Sequence, residues 1–435
     1  MKVAVIGSGI SGLAAAHRLH AHAQVTLFEA GTYFGGHTNT VDVSLPDAQG
    51  RTVTHGVDTG FLVFNERTYP GLIALLQELD IPSARSDMSF SVQAPNAGWF
   101  GSTLEWNGAN LASVFAQKSN LLRPQFWLML REVLRFNQLC TRIAQSGEDY
   151  ALAQPLADFL QQHGFSKNFR DWYFLPMLGC IWSCPTDQML QFPVATMIRF
   201  CHNHGLIQVN NRPQWWTVAG GARQYVQKII NSLGDARLNT PVQLIKRDAD
   251  GVNIFSTQGC ERFDAVVLAV HSDQALKLLA QPSSLEEMVL GKIRYQRNQA
   301  VLHTDTQVMP QRPRAWAAWN YERAASSTQE SAKVCLHYWL NRLQPLPFAQ
   351  HVFASLNPAR DIDTSKVLAT IEYQHPVFDL PAIRAQSQIS SLQGRQRTWF
   401  CGAWTGYGFH EDGLQSGYAA AQAVLAAPIK ALEAA

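Results

Sequence analysis

No stretch of this sequence is apolar for the roughly 20 consecutive residues that a membrane-crossing helix takes. Charge is sparse as well: 16% of the 435 residues are ionic, and the net charge of +2 leaves no surplus for holding a polyanion. No basic run, zinc-ligand spacing or nucleic-acid motif reverses that, so neither nucleic acid nor a structural metal is expected. Cysteine is scarce, seven residues without a repeated spacing, which argues against a disulfide scaffold and for reduced thiols. Cys180 and Cys184 have no partner pair nearby and read as small buried apolar residues. A strand candidate begins at residue 3 and leaves no room for a cleaved leader, so a cytoplasmic location is expected. What is plentiful is apolar residue, 46%, in a chain longer than one compact core usually needs, so two domains are expected.

The most informative stretch is the first twelve residues. Val3 to Ile6 form an apolar strand candidate, and Gly7, Ser8, Gly9, Ile10, Ser11 and Gly12 form a G-x-G-x-x-G turn opening into the helix former run Leu13 to Ala16. Gly7 suits the tight turn, Gly9 leaves room for a pyrophosphate, and Gly12 lets helix and strand approach. The helix N-terminus offers free N–H groups to the anion. A second strand candidate, Val25 to Phe28, ends at Glu29, twenty residues beyond Gly9, where a carboxylate accepts from both hydroxyls of an adenosine ribose. It would repel a 2′-phosphate, so FAD or NAD is favoured over NADP.

After Glu29 and Ala30 comes a second glycine pair, Gly35 and Gly36, followed by His37 and Thr38, which a plain NAD domain does not need. This segment resembles the extended fingerprint of the flavoprotein superfamily that contains amine oxidases, protoporphyrinogen oxidase and phytoene desaturases. In that superfamily Arg usually follows the glycines; here His37 stands in its place. His55 to Phe61 resembles the family segment that runs beside the flavin, which would put Gly60 and Phe61 there, and a helix follows from Tyr69 to Leu79. Trp215 to Gly221 resembles a family turn that precedes a helix, here Ala222 to Ser232. Arg237 to Asn239, Val242 to Lys246, Val252 to Phe255 and Phe263 to Val270 read as strands, and the resemblance places the backbone of Val242 at the adenine. The C-terminal stretch from Trp399 resembles the family's last strand, glycine turn and final helix. It would bring Gly402, Ala403, Gly413 and Leu414 to the flavin, with a helix starting near Asp412 or Gly413 aimed at the ring, where its dipole favours the charge of reduction. Ala403 stands where the family usually has Asp or Glu.

From about Ser83 to Gly205 the fingerprint gives way to tryptophan, phenylalanine and helix-spaced leucine, with helices expected at Phe126 to Leu139, Leu156 to Gln162 and Phe192 to His202. In Leu121 to Phe136 the apolar residues alternate with Arg123, Arg131 and Arg135. A core helix with its arginines facing water is the favoured reading, and peripheral contact with an anionic membrane the alternative. Ala300 to Thr304, Ala315 to Trp319 and Lys333 to Leu340 read as strands of the same region. The resemblance, which covers nearly the whole chain, thus implies an α/β fold: a Rossmann-like FAD-binding domain from residues 1–82, 206–290 and 384–435, with an inserted mixed α+β substrate domain from 83–205 and 291–383.

Three absences narrow the chemistry. With no second G-x-G-x-x-G, electrons enter from the substrate and leave to oxygen, a quinone or a protein. Relatives that oxidise amines generally carry Lys in the strand corresponding to Asn298 to His303, and none lies there. Covalently flavinylated relatives attach the ring through a Cys in the stretch corresponding to Glu372 to Asp379, and none lies there either, so noncovalent FAD is expected. By family position, Tyr373, His375, Trp404, Tyr407 and His410 are the candidates for contact with substrate. Glu411 and Asp412 read equally as helix caps. Gly-Gly-His-Thr, Val-Asp-Thr-Gly-Phe and Phe-His-Glu-Asp-Gly resemble a bacterial subgroup associated with modification of unsaturated fatty acyl chains, implying an oxidoreductase acting on a hydrophobic or lipid substrate. An amine or polyamine oxidase releasing peroxide, and a flavin-binding accessory protein to a lipid-modifying methyltransferase, remain the alternatives.

Overall fold

The computed structural model describes residues 1–146, 154–208, 212–323 and 334–427. A five-stranded sheet carries the glycine turn. Its order is Asp235–Arg237, Gln24–Phe28, Lys2–Ile6, Ala265–Leu268, Thr398–Phe400, with every neighbouring pair parallel. Val3, Ala4 and Val5 and all of Ala265–Leu268 are fully buried, as continuous apolar strands covered on both faces must be. The helices Ile10–Leu19 and His410–Ala426 pack against each other beside this sheet, so the two ends of the chain meet there.

A second sheet has seven strands in the order Val367–Val377, Arg294–His303, Phe353–Leu356, Cys335–Trp339, Trp319–Glu322, Phe90–Ala94, Leu104–Asn107. All its pairs are antiparallel except Trp319–Glu322 with Phe90–Ala94. Val92 and Trp106 of this sheet share one apolar cluster with Phe126 and Phe136 of the helix Pro124–Ser146.

Several sequence expectations shift. The region from Ser83 to Gly205 also holds strands: Ser83–Ser86 pairs with Trp215–Val218, Phe90–Ala94 with Trp319–Glu322, and Leu104–Asn107 with Phe90–Ala94. Ala315 to Trp319 is not a strand. Pro310 and Pro313 cannot donate to a ladder, and a 3-10 turn, Pro313–Ala315, precedes the strand Trp319–Glu322. The strand expected at Arg237 to Asn239 lies at Asp235–Arg237, because Asn239 turns the chain with φ +52°. Lys333 lies outside the described residues, and the strand expected from it occupies Cys335–Trp339. Arg123 does not face water: it is 5% exposed and donates to the carbonyl of Ala97 at 2.6 Å.

Candidate functional site

Gly7 turns the chain at the end of the first strand with φ +99°; a Cβ there would lie 2.8 Å from the Ala269 carbonyl oxygen. At Gly12 a Cβ would lie 1.9 Å from the Gly7 oxygen, so only glycine lets the helix start this close to the turn. Gly9 is the opposite case. A Cβ there meets nothing within 4 Å, and Gly9 opens the helix Ile10–Leu19 with no side-chain cap. The turn thus has one open side, where the N–H groups of the first helical turn favour an anion. Gly36 sits across it, its Cβ position 3.2 Å from the Gly9 Cα.

Ser8 and Glu29 brace this turn. The Glu29 carboxylate accepts from the Ser8 N–H at 2.9 Å, the Ser8 hydroxyl at 2.5 Å and the Gly31 N–H at 2.7 Å, which fixes it at the end of Gln24–Phe28. The Ser8 Oγ also accepts from the Gly35 N–H at 3.0 Å, joining the two glycine segments. Ala30 continues from Glu29. Val242 begins its strand two residues after Thr240, whose N–H donates to the Glu29 carbonyl at 2.8 Å. From the far end of the chain, a Cβ at Gly413 would lie 2.7 Å from the Ile10 Cγ2 and 3.5 Å from the Ala403 Cβ. One at Gly417 would lie 2.2 Å from the Ser11 oxygen. Leu414 is fully buried in the same apolar cluster as Ile10 and Phe61, and the Gly402 N–H donates to the Ser416 Oγ at 2.9 Å.

The last helix begins at His410, earlier than the sequence suggested, because Asp412 reaches back to accept the N–H groups of Tyr407 at 3.1 Å and Phe409 at 2.9 Å. Burial pushes the Asp412 carboxyl up to about 6. Glu411 turns away and accepts from the N–H groups of Gly71 and Leu72, capping the helix Pro70–Glu78. Asp58 accepts from the Ala222 N–H at 3.0 Å and the Thr40 hydroxyl at 2.5 Å, and burial pushes it too up to about 6.

Around these elements the structure gathers histidines and aromatics. His410 stacks on Phe61 with ring centres 3.8 Å apart, and its Nε2 is 2.7 Å from the Tyr225 hydroxyl, which lies 2.5 Å from the Thr38 hydroxyl. The Phe61 N–H donates to the His37 carbonyl at 2.8 Å, and a Cβ at Gly60 would lie 2.3 Å from the same oxygen. His37 stacks on Tyr373 at 4.9 Å and lies 5.3 Å from His375. Tyr373 shares a 2.8 Å hydrogen bond with Thr59, and the Asn298 amide donates to the His375 Nδ1 at 2.7 Å. Burial lowers His410 to about 3 and His375 to about 4 and holds His37 well below the usual imidazole range, so all three are neutral near pH 7. The Nε2 of His37 is buried with no partner.

Two candidates stand apart from this group. Trp404 lies against Gly402, but its ring packs with Ile6, Phe28 and Leu268, and its N–H is taken by the Val270 carbonyl at 3.1 Å. Tyr407 and Phe409 face the helix Val194–Asn203, with the Phe409 ring 4.6 Å and the Tyr407 ring 6.0 Å from Phe200. Sequence reasoning selected none of Tyr225, Asn298 and His271 as site residues. His271 stacks on Tyr295 at 4.2 Å and, like His37, leaves one ring nitrogen, Nδ1, buried and unpartnered. Nothing in their local sequence marks these residues, which come together only through the packing of distant segments.

An open glycine turn at a helix N-terminus, a carboxylate fixed at the next strand end, and a second glycine helix closing from the other end of the chain define a flavin-dependent oxidoreductase fold. The family described as flavin containing amine oxidoreductase matches residues 10–312, and the chain belongs to that family. Solved structures agree on the fold. A CLA-producing fatty acid isomerase from P. acnes is 16% identical, with TM-score 0.66 over 96% of this chain and 97% of its own. Cyclohexylamine oxidase from Brevibacterium oxydans is 17% identical, with TM-score 0.67 over 97% and 98%. Putrescine oxidase bound to putrescine is 15% identical, with TM-score 0.67 over 98% and 100%. No curated protein matches the chain. The residues present suit the flavin the family carries: the space at Gly9, the uncapped helix, the fixed Glu29 carboxylate and the unpartnered His37 Nε2 each offer what a dinucleotide takes.

Proposed function

We propose that this protein binds FAD without a covalent link and removes hydride from a hydrophobic substrate, a lipid or unsaturated fatty acyl chain, with oxygen, a quinone or a protein as the final acceptor. One observation carries the choice of substrate. Three carboxylates close to the candidate residues, Asp58, Glu411 and Asp412, are tied to backbone N–H groups, and the surrounding rings are aromatic or neutral imidazole, which favours an uncharged substrate over an ammonium. Asn298 occupies the strand where a lysine would favour amine oxidation.

The bound flavin supplies the hydride acceptor. The chain's own part is orientation and exclusion of water more than base chemistry. Tyr373 and Phe61, pinned by Thr59 and His410, give rigid apolar walls. His410 is fixed by Tyr225 and His375 by Asn298, and their depressed affinity for protons keeps charge out of the region. The thiol of Cys401, next to the glycine turn, is pushed up to about 12 by burial, so it offers no thiolate for a covalent bond.

The test is anaerobic mixing of the purified protein with unsaturated acyl lipids or with amines while the flavin absorbance is followed. Bleaching by acyl lipids and not by amines is expected. Bleaching by amines, with peroxide on readmission of air, would replace this reading with an amine oxidase. Bleaching only after a partner protein is added would make the chain an accessory.

A further inference from the structure

We infer that the end of the molecule formed by the 97–101 loop, the 111–123 segment and the start of the helix Pro124–Ser146 docks onto an anionic lipid bilayer surface. Large exposed apolar side chains are concentrated there: of the thirteen among the described residues, eight lie between Trp99 and Leu134. Phe100 is 105% exposed at the loop tip and is held at φ +51°, a conformation rarely adopted by residues other than glycine. Leu121 and Leu122 precede the helix, and Leu122 is 72% exposed; Trp127 and Leu128 continue the face on its first turn. The Trp127 N–H is already taken by the Leu121 carbonyl at 2.9 Å, so what the indole leaves exposed is its apolar surface.

These pieces are held together. The Arg123 guanidinium, itself buried, bonds the Ala97 carbonyl and lies over the Trp172 ring at 5.1 Å, which ties the loop to the helix start. Phe115 packs 5.1 Å from Trp127 and 5.9 Å from Phe126.

Charge selects the occupant. Between residues 95 and 142 the exposed ionic side chains are Lys118, Arg131, Arg135 and Arg142, all cationic. The two acids of that stretch, Glu105 and Glu132, are buried and bonded to Gln311 and Arg312 and to Ser166. An apolar face on a stretch whose exposed charges are all cationic suits lipid headgroups with a negative charge: the rings and leucines enter the acyl boundary while the basic side chains stay near the phosphates. The favoured sequence reading of a helix with arginines facing water is thus incomplete, because the first half of this helix also exposes Trp127, Leu128 and Leu134. The inference does not depend on which substrate the enzyme takes.

The experiment is flotation of the full-length flavoprotein with vesicles of phosphatidylglycerol and phosphatidylcholine or of phosphatidylcholine alone, with light scattering on the lipid-free protein. The wild type is expected to float with the anionic vesicles and to be released at high salt. Phe100→Ser combined with Leu122→Ser should lower binding about tenfold or more, and Lys118→Glu with Arg131→Glu should abolish the preference for anionic lipid. Both pairs are exposed, and an unchanged flavin spectrum certifies their fold. Wild type that stays unbound with every vesicle, or an apolar variant that floats as well as wild type, would overturn the assignment. So would a wild-type dimer that becomes monomeric in the Phe100→Ser, Leu122→Ser protein, which would give the face to a second copy of the chain.

Discussion

The molecule holds two buried histidine groups, and they differ in completeness. In the seven-stranded sheet, the His303 Nδ1 accepts from the Asp305 N–H at 3.0 Å and its Nε2 is 2.7 Å from the Ser355 hydroxyl. Ser355 is 2.7 Å from the His337 Nδ1, and the His337 Nε2 is 2.9 Å from Glu322, which also pairs with Arg360. Every nitrogen of these two rings has a partner. Cys335 lies 3.5 Å from the His337 Nε2, and burial beside Glu322 pushes its thiol well up from the usual range. At the glycine turn, by contrast, His37 and His271 each leave a buried ring nitrogen unpaired. Buried polar groups in native proteins are overwhelmingly satisfied. The closed group therefore reads as structure, and the open one as a surface that a ligand completes.

The sharpest way to break this contrast is Gly9→Ala. The added methyl meets no protein atom within 4 Å and the backbone φ of −61° suits alanine, so the flavin-free protein should be as stable as wild type or slightly more so. Flavin affinity, measured by fluorescence titration, should fall by about a hundredfold or more, because the methyl takes the room the turn leaves for phosphate. Retained affinity would mean that the open side serves something else.

The converse is Glu322→Ala, which strands His337 and Arg360 in or beside the sheet. Leaving a buried ring nitrogen without its partner costs about 1–3 kcal/mol, read in urea unfolding, with the flavin spectrum unchanged. A spectral change with little loss of stability would reverse the assignment of the two groups.

His37→Ala sharpens the comparison at smaller scale. Since the Nε2 has no protein partner, stability should change by about 1 kcal/mol or less, while flavin affinity falls about tenfold. A stability loss matching that of Glu322→Ala would erase the distinction.

A separate test is pH dependence. His204, His303 and His375 are lowered to about 4 and His410 to about 3, all by burial. Neutral in the fold and protonated when unfolded below about 6.5, they contribute stability that is complete above that pH and is lost as pH falls towards their folded values. Asp58 and Asp412, raised to about 6, act oppositely: the folded protein takes up their protons first as pH falls, which offsets part of the loss. Four imidazoles outweigh two carboxyls, so the melting temperature should fall between pH 7 and pH 5. A flat or rising profile there would show that these rings are hydrated.

The glycine turn, Glu29 and the Gly35–Gly36 pair were legible because each acts through backbone geometry within a few residues of its neighbours. The last helix was legible for the same reason, although its start was misplaced by the reach of Asp412. The second sheet was not. Phe90–Ala94 takes its place from Trp319–Glu322, more than two hundred residues away, and the long strand Val367–Val377 lies opposite Arg294–His303 by a pairing that no local pattern announces. The histidine network was hidden for a further reason: residue type reveals that a nitrogen is present, and only packing reveals whether it is paired. Family position groups Trp404 with Tyr373 and His410, whereas the fold packs Trp404 in a separate cluster.

The most direct test is to record the visible spectrum of the purified protein, precipitate it with acid, and identify what is released by chromatography. Yellow protein whose colour passes wholly into the supernatant as FAD, about one per chain, is the result expected for a glycine turn and histidine group completed by a noncovalent dinucleotide. Colour that stays with the precipitate would contradict the noncovalent reading, and a colourless protein that FAD cannot restore would contradict the site itself.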